Sequence, residues 1–117
     1  MTQLPSAGIY AIQNLDNGRI YVGGSIDVDR RVKVHQAHLA RGQSDNPHIR
    51  QDITTYGPAV FRICILQRTF SSQELAELEQ LWADRLGAFE AGYNIRRIEH
   101  VNHLPRLRKP RALQGAK

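Results

Sequence analysis

The chain has 117 residues, of which 41% are hydrophobic, and a formal net charge of +5 from 16 basic and 11 acidic residues. This length suits one small domain, and no apolar run approaches the roughly 18 residues that a membrane-spanning helix needs. Since the N-terminus also lacks the features of a signal peptide, we expect a cytoplasmic protein with no membrane partner, and the lone Cys64 excludes an internal disulfide.

Two strand-like runs near the N-terminus, Ala7–Asn14 and Arg19–Gly23, flank the turn sequence Asp-Asn-Gly at residues 16–18. This pattern is typical of a β-hairpin. Because strand side chains alternate between the two faces of a sheet, a loop of two or four residues places Tyr10 and Tyr21 on the same face. The four-residue loop also makes them diagonal neighbours, whereas a three-residue loop with a bulge would separate them.

The elements after the hairpin are marked by caps, glycine stops and a run of β-branched residues. Their order, β-β-α-α-β-α, predicts a small α/β domain in which helices cover a sheet with antiparallel pairing. Ser71 and Glu74 have the spacing of a capping box. The predicted elements are a helix from Ser25 or Asp27 to about Arg41, a short helix that begins at Asn46-Pro47 and ends before Gly57, a strand over Ala59–Phe70, a helix from Ser71 to about Leu86, and a turn or short strand over Ala91–Asn94.

The excess of positive charge lies at the C-terminal end. Five basic and no acidic residues follow residue 100, so the first hundred residues carry eleven of each sign. We therefore divide the chain into a folded domain over residues 1–100 and a basic tail over residues 101–117, whose prolines and low apolar content disfavour folding. The tail either keeps the protein soluble or contacts nucleic-acid phosphates through Arg106, Arg108, Lys109 and Arg111.

One carboxylate interrupts the apolar face of the last helix. At about 100° per residue, Leu75, Leu78, Trp82 and Leu86 share one arc, and Glu79 falls inside it. Burial of an unpaired carboxylate costs several kcal/mol. Glu79 must therefore be ion-paired, protonated, bound to a cation or at the mouth of a cleft, unless the helix is rotated far enough to expose it.

The first helix carries a second polar pair, Arg31 and His35, which are four residues apart and share a face. Alone, such a pair is more often surface than functional site. Together with Glu79 and the two tyrosines, it supplies a cation for phosphate, a carboxylate for a metal, and phenol and imidazole groups for proton transfer. This set of groups suits metal-assisted cleavage of a phosphodiester.

The ordered series of these residues resembles the GIY-YIG nuclease superfamily. The resemblance covers about residues 8–94, with valine in place of the middle isoleucine of the second triplet. It implies a compact α/β fold with a three-stranded antiparallel sheet flanked by helices. It also implies an enzyme that cleaves phosphodiester bonds with one divalent metal ion, Mg²⁺ or Mn²⁺. The series comprises Gly8-Ile9-Tyr10, Tyr21-Val22-Gly23 followed by Gly24-Ser25, then Arg31, His35, Glu79 just before Trp82, and Gly92-Tyr93-Asn94.

The same resemblance implies a role for each polar residue. Glu79 would hold the metal ion, with waters completing its coordination, and Arg31 would bind and neutralise the scissile phosphate of the DNA. Tyr10 would be the general base, aided by His35, and Tyr21 would position the phosphate or the water. A free phenol has a pKa of about 10, so Tyr10 needs the metal or Arg31 to stabilise its phenolate.

The remaining positions leave part of the chemistry open. Asn94 would hold the site together rather than react. Some homing endonucleases of the family carry a further active-site histidine shortly after the glycine that corresponds to Gly42, and this chain has Ser44 there. The leaving-group acid is then His38, His48 or a metal-bound water.

We expect a small DNA endonuclease whose specificity either comes from its loops, its tail, a homodimer or a specificity partner, or is low. The alternative is a DNA-binding module of the same fold that has lost catalysis. Glu79 argues against that alternative, because its charge would repel DNA phosphates unless a metal ion bridged them.

Overall fold

The computed structural model describes residues 4–95; the predicted basic tail, including Arg106, Arg108, Lys109 and Arg111, lies outside the described residues. Within the described range the predicted β-β-α-α-β-α order is confirmed. Among residues 4–95, none of the helices has the length and apolar composition of a membrane span. The elements are β1 (Ala7–Asn14), β2 (Ile20–Ser25), α1 (Val28–Ala40), α2 (Pro47–Tyr56), β3 (Phe61–Thr69) and α3 (Leu75–Leu86).

The three strands form one antiparallel sheet in the order β2-β1-β3, so β2 and β3 are its edges. Strands β1 and β2 are joined by a loop of four residues, 15–18. The loop is closed by a hydrogen bond from the Asn14 N–H to the Arg19 carbonyl at 2.9 Å. Gly18 adopts a φ of 79°, which is why a glycine is needed there.

The register of the hairpin decides where the two tyrosines lie. Tyr10 is opposite Gly23 and Ile12 is opposite Tyr21, so the tyrosines are diagonal neighbours on one face, as expected for a four-residue loop. Strand β2 extends two residues past the predicted end at Gly23. The reason is that both residues of the extension still pair with β1.

Side-chain caps begin the first two helices. Asp27, rather than Ser25, caps α1, and the Ser25 hydroxyl accepts a hydrogen bond from the Asp27 N–H at 3.0 Å. Asn46 caps α2 ahead of Pro47, and Gly57 ends that helix with a φ of 83°. These starts and stops agree with the local sequence signals.

Both predicted ends of β3 and the predicted start of α3 are wrong. Strand β3 begins at Phe61 because Pro58–Val60 forms a 3₁₀ turn, and it ends one residue before Phe70. The predicted capping box does not form: the Ser71 side chain makes no cap hydrogen bond, and the Glu74 carboxylate accepts from the Thr69 hydroxyl at 3.2 Å. A 3₁₀ turn therefore precedes α3, which begins at Leu75.

The sheet separates two apolar cores. Helices α1 and α2 cover the face that carries Tyr10, and α3 covers the other. On α3, the predicted apolar arc is partly wrong: Leu86 is 37% exposed, and Ala83 is fully buried in its place. The buried members are Tyr10, Ile12, Val28, Leu39, Ile49, Ile53 and Tyr93 on the first face, and Ile9, Val22, Ala83 and Ala88 on the second.

Candidate active site

A buried tyrosine–histidine pair lies at the centre of the first face. Tyr10 on β1 and His35 on α1 are 2% and 6% exposed, and their Oη and Nε2 atoms are 2.8 Å apart. Their ring centroids are 5.1 Å apart. His35, which helical position alone left at the surface, is therefore a core residue in contact with the phenol.

Burial determines which member of this pair carries the proton. It raises the pKa of Tyr10 well above its ordinary value, and neighbouring Tyr21 raises it further, although the guanidinium of Arg31 acts in the opposite direction. Burial, followed by the charge of Arg31, lowers the pKa of His35 to about 4. At neutral pH the phenol is protonated and the imidazole is neutral, and in the tautomer that carries its proton on Nδ1, Nε2 of His35 accepts from the Tyr10 hydroxyl.

Tyr21 completes an aromatic cluster with this pair. Its ring centroid is 6.2 Å from that of Tyr10 and 6.4 Å from that of His35. Unlike the other two rings, Tyr21 is only half-buried. The cluster thus has two buried members and a third that reaches solvent.

Arg31, in the first turn of α1, provides the positive charge beside the cluster. Its guanidinium acts to lower the pKa of Tyr10, and Nη2 lies 3.8 Å from Oδ2 of Asp45 in the loop before α2. The Arg31 side chain is 40% exposed and that of Asp45 is 74% exposed. Exposed ion pairs of this kind contribute about 0–1 kcal/mol, so an incoming anion can displace Asp45 from Arg31 at small cost.

Two glycines on the edge strand β2 make room for the polar groups on either side. A Cβ atom at Gly23 would lie 2.5 Å from Oη of Tyr10 and 2.9 Å from Cε2 of Tyr21. On the opposite face, a Cβ atom at Gly24 would lie 3.3 Å from Oε1 of Glu79. The tyrosine cluster and Glu79 therefore approach the same two-residue stretch of β2 from opposite faces of the sheet.

Glu79 is half-buried on the side of α3 that packs on the sheet. Its placement on the apolar arc, among Leu78, Trp82 and Ala83, is as the periodicity predicts. Within residues 4–95 no group of three or more histidine, cysteine, aspartate or glutamate side chains could hold a metal ion. A single carboxylate fits Mg²⁺ or Mn²⁺ only where water and phosphate oxygens complete the coordination shell, which is the usual arrangement for Mg²⁺ at a phosphate.

Asn94 covers part of the outer edge of β2. Its Oδ1 accepts from the Val22 N–H at 2.7 Å, and its Nδ2 donates to the Val22 carbonyl at 2.8 Å. The Tyr93 N–H donates to the Ile20 carbonyl at 2.8 Å. Of the two predicted forms of this segment, the turn is therefore the one observed, and a side-chain amide takes the place of a fourth strand.

A second buried polar network lies behind this turn, and the sequence did not predict it. Asp52 on α2 is 8% exposed, and its Oδ2 accepts hydrogen bonds from Tyr93 at 2.6 Å, Asn17 at 3.1 Å and Arg19 at 3.2 Å. Asn14 donates to the Tyr93 hydroxyl at 3.2 Å. Burial by itself would raise the pKa of Asp52, but these partners hold it below its ordinary value.

This network joins the hairpin loop, α2 and the C-terminal turn, and so holds the turn that carries Asn94. One signal could have revealed it. Asp52 lies between Ile49 and Ile53, both of which are buried, and is thus another carboxylate on an apolar helix face. That pattern is the same as the one that drew attention to Glu79.

The histidines considered for the leaving-group acid lie outside the aromatic cluster. His38 is half-buried on α1, and its charge contributes to lowering the pKa of His35. His48 is exposed at the start of α2. Ser44 has a local role, because its hydroxyl accepts from the Asn46 N–H at 3.1 Å.

Comparison with known proteins places this arrangement in a family. The chain is similar to the solved catalytic domain of homing endonuclease I-TevI, with a TM-score of 0.67 and 29% identity over 78% of this chain and 99% of that one. A variant of the I-TevI catalytic domain gives a TM-score of 0.65 and 30% identity over 77% of this chain and 93% of that one.

A curated relative gives the same result at the level of sequence. Intron-associated endonuclease 1 of Enterobacteria phage T4 is 31% identical over 90 residues, which are 76% of this chain and 36% of the relative. The chain thus spans about a third of the length of that relative. The family model of the GIY-YIG catalytic domain matches residues 6–94, the range that contains the tyrosine cluster, Glu79 and Asn94. The chain belongs to the GIY-YIG catalytic domain family.

Proposed function

We propose that this protein is a divalent-metal-dependent endonuclease that hydrolyses DNA phosphodiester bonds. The observation that carries the proposal is the buried Tyr10–His35 pair, which lies beside Arg31 and across the glycines of β2 from Glu79. The relatives named as endonucleases support the substrate class. Glu79 would hold Mg²⁺ or Mn²⁺, which when bound would stabilise negative charge on the scissile phosphate.

The pKa of Tyr10 makes a free phenolate unfavourable as the base. The 2.8 Å contact with His35 offers a relay instead: Tyr10 accepts a proton from the attacking water as its own proton passes to Nε2 of His35. With a pKa of about 4, the imidazole of His35 in the absence of DNA is a weak proton acceptor. An anionic phosphate beside Arg31 would offset the positive charge that lowers this pKa, so substrate binding itself would make His35 more basic.

Arg31 and Tyr21 would orient the phosphate for this attack. The guanidinium of Arg31 can exchange its long contact with Asp45 for two parallel hydrogen bonds to phosphate oxygens. Tyr21 is the member of the cluster that reaches solvent, so its hydroxyl would meet the phosphate or the water at the entrance of the site.

Binding of the rest of the DNA would rely on other surfaces. We propose that the basic residues Arg106, Arg108, Lys109 and Arg111, which lie outside the described residues, contact backbone phosphates. Recognition of a particular site would come from the loops, from a second copy of the chain or from a specificity partner. A single active site cuts one strand, so a double-strand break would need two copies or two successive nicks.

The test is conversion of supercoiled plasmid to nicked or linear DNA with Mg²⁺ or Mn²⁺. We expect Glu79→Ala to abolish cleavage while DNA binding stays equal or tightens, because a carboxylate near phosphate is removed. Glu77→Ala, an exposed position on the same helix, is the matched control and should cut like the wild type. EDTA should stop cleavage by the wild type and by Glu77→Ala.

Two outcomes would contradict the proposal. A folded wild type that binds DNA without cutting it in either metal would favour the inactive DNA-binding module. Equal cleavage by Glu79→Ala and Glu77→Ala would remove Glu79 from the site. Urea unfolding of each variant identifies a loss of activity that reflects a loss of folding.

A further inference from the structure

The backbone N–H and C=O groups of Gly24 point outward from the β2 edge of the sheet. In an antiparallel ladder, alternate residues of an edge strand turn their N–H and C=O groups outward. Val22 is an outward residue, since both its backbone groups bond to Asn94. Gly24 is two positions further along the same strand, and no register shift separates the two. Its N–H and C=O therefore point outward as well.

The cover over this edge ends just before Gly24. Tyr93 satisfies the Ile20 carbonyl and Asn94 satisfies both groups of Val22. Across residues 4–95, no hydrogen bond reaches the Gly24 N–H. Strand edges are usually covered or charged, and a half-buried donor without an acceptor is costly. An uncovered N–H at this point therefore calls for an acceptor that is not part of the described chain.

The position of this donor relates the two halves of the site. The Tyr10 hydroxyl lies against Gly23 on one face of β2, with Arg31 near enough to lower the pKa of this phenol, and the Glu79 carboxylate lies against Gly24 on the other face. A phosphate that contacts Arg31 and a cation on Glu79 at the same time must cross the edge of β2. The Gly24 N–H lies at this crossing, in the plane of the sheet.

We propose that the Gly24 backbone N–H binds a non-bridging oxygen of the scissile phosphate. This inference rests on the proposed function and adds an anion-binding group to it. A backbone donor positions a phosphate without added bulk, and it partly offsets the repulsion between that phosphate and Glu79. Glycine at this position serves the same end, because a side chain would fill the space between the strand and the carboxylate.

The first test replaces the Gly24 amide by an ester, using glycolic acid at that position. The change removes the N–H, adds no atoms and leaves every side chain intact. An ester at Ile20, the other outward residue of this edge beyond Val22, is the matched control. Both esters weaken a carbonyl that pairs with β1, at Gly23 and Arg19 respectively, so their effects on folding are comparable.

We expect the Gly24 ester to nick plasmid about 10- to 100-fold more slowly than the Ile20 ester, which is the loss expected for one hydrogen bond to a charged group. The second test uses the wild-type protein labelled with ¹⁵N. Addition of a short DNA duplex with Ca²⁺ should move the Gly24 amide proton downfield, and inorganic phosphate should produce a smaller shift in the same direction.

The outcomes separate this inference from the proposed function. Equal rates for the two esters, or a Gly24 amide proton that DNA does not move, would overturn the inference even if the wild type cuts DNA. If the wild type does not cut DNA, the proposed function fails, and the NMR titration alone decides whether Gly24 contacts phosphate. If the Gly24 ester does not fold, the same titration decides.

Discussion

The substitution Gly23→Ala tests whether the aromatic cluster depends on a missing side chain. The new Cβ atom would lie 2.5 Å from Oη and 2.6 Å from Cζ of Tyr10, and 2.9 Å from Cε2 of Tyr21. Atoms do not approach this closely, so the Tyr10 ring must move. Because Tyr10 is 2% exposed and packed against His35, it has no free space to enter.

The cost follows from two effects. Overpacking of a core costs about 1–3 kcal/mol. Displacement of the Tyr10 hydroxyl from Nε2 of His35 breaks a buried hydrogen bond, at about 1–3 kcal/mol. A gain of about 0.5–1 kcal/mol from replacing a strand glycine opposes them. We expect a net loss of about 1–5 kcal/mol in the free energy of unfolding.

Urea unfolding measures this loss. With an m value of about 2 kcal/mol per M, the midpoint should fall by about 0.5–2.5 M without a change in m. Gly24→Ala is the stability control: its Cβ would come nearest to the ends of two side chains, at 3.2 and 3.3 Å, with the Gly8 carbonyl oxygen at an ordinary 3.7 Å, so a loss below about 1 kcal/mol is expected. Equal midpoints for the two variants would refute the argument that Tyr10 needs a glycine at position 23.

Three further predictions concern other parts of the molecule. The pKa of His35 is lowered from 6.5 to about 4, so between these pH values the unfolded state binds a proton that the folded state does not. The free energy of unfolding should therefore fall as pH drops from 6.5 to about 4. Urea unfolding of His35→Gln at several pH values should show a smaller fall over this range. Asp52→Asn should lower the free energy of unfolding by about 1–3 kcal/mol, because the hydrogen bonds from Tyr93, Asn17 and Arg19 lose a charged acceptor; an unchanged urea midpoint would contradict the network. Removal of residues 104–117 should weaken DNA binding and reduce the slope of log K against log salt, whereas an unchanged slope would exclude these residues as phosphate contacts.

The sequence was sufficient for features that depend on neighbours in the chain. The turn sequence at residues 16–18 located the hairpin but left its loop length open, and the observed four-residue loop puts Tyr10 and Tyr21 on one face. Asp27 and Asn46 mark helix starts because a cap is a hydrogen bond to an N–H two or three residues away. Helical periodicity placed Glu79 against apolar surface, since rotation per residue is a local property.

Sequence patterns were less reliable where a side chain has more than one possible partner or position. Ser71 and Glu74 have capping-box spacing, yet the Glu74 carboxylate bonds to the Thr69 hydroxyl. Leu86 lies on the apolar arc, yet it is partly exposed, because α3 turns Ala83 towards the sheet instead. In both cases the local pattern allows several partners, and packing between elements selects one.

Only the tertiary structure decided the character of the site. Burial of His35 beside Tyr10 depends on how α1 docks on β1, and this docking brings the phenol and Nε2 of the imidazole within hydrogen-bonding distance. The carboxylate of Glu79 meets the other face of β2, which no spacing along the chain specifies. Elements distant in sequence meet through packing and long-range hydrogen bonds, so the chain order indicated which groups are available, and the fold determined which of them touch.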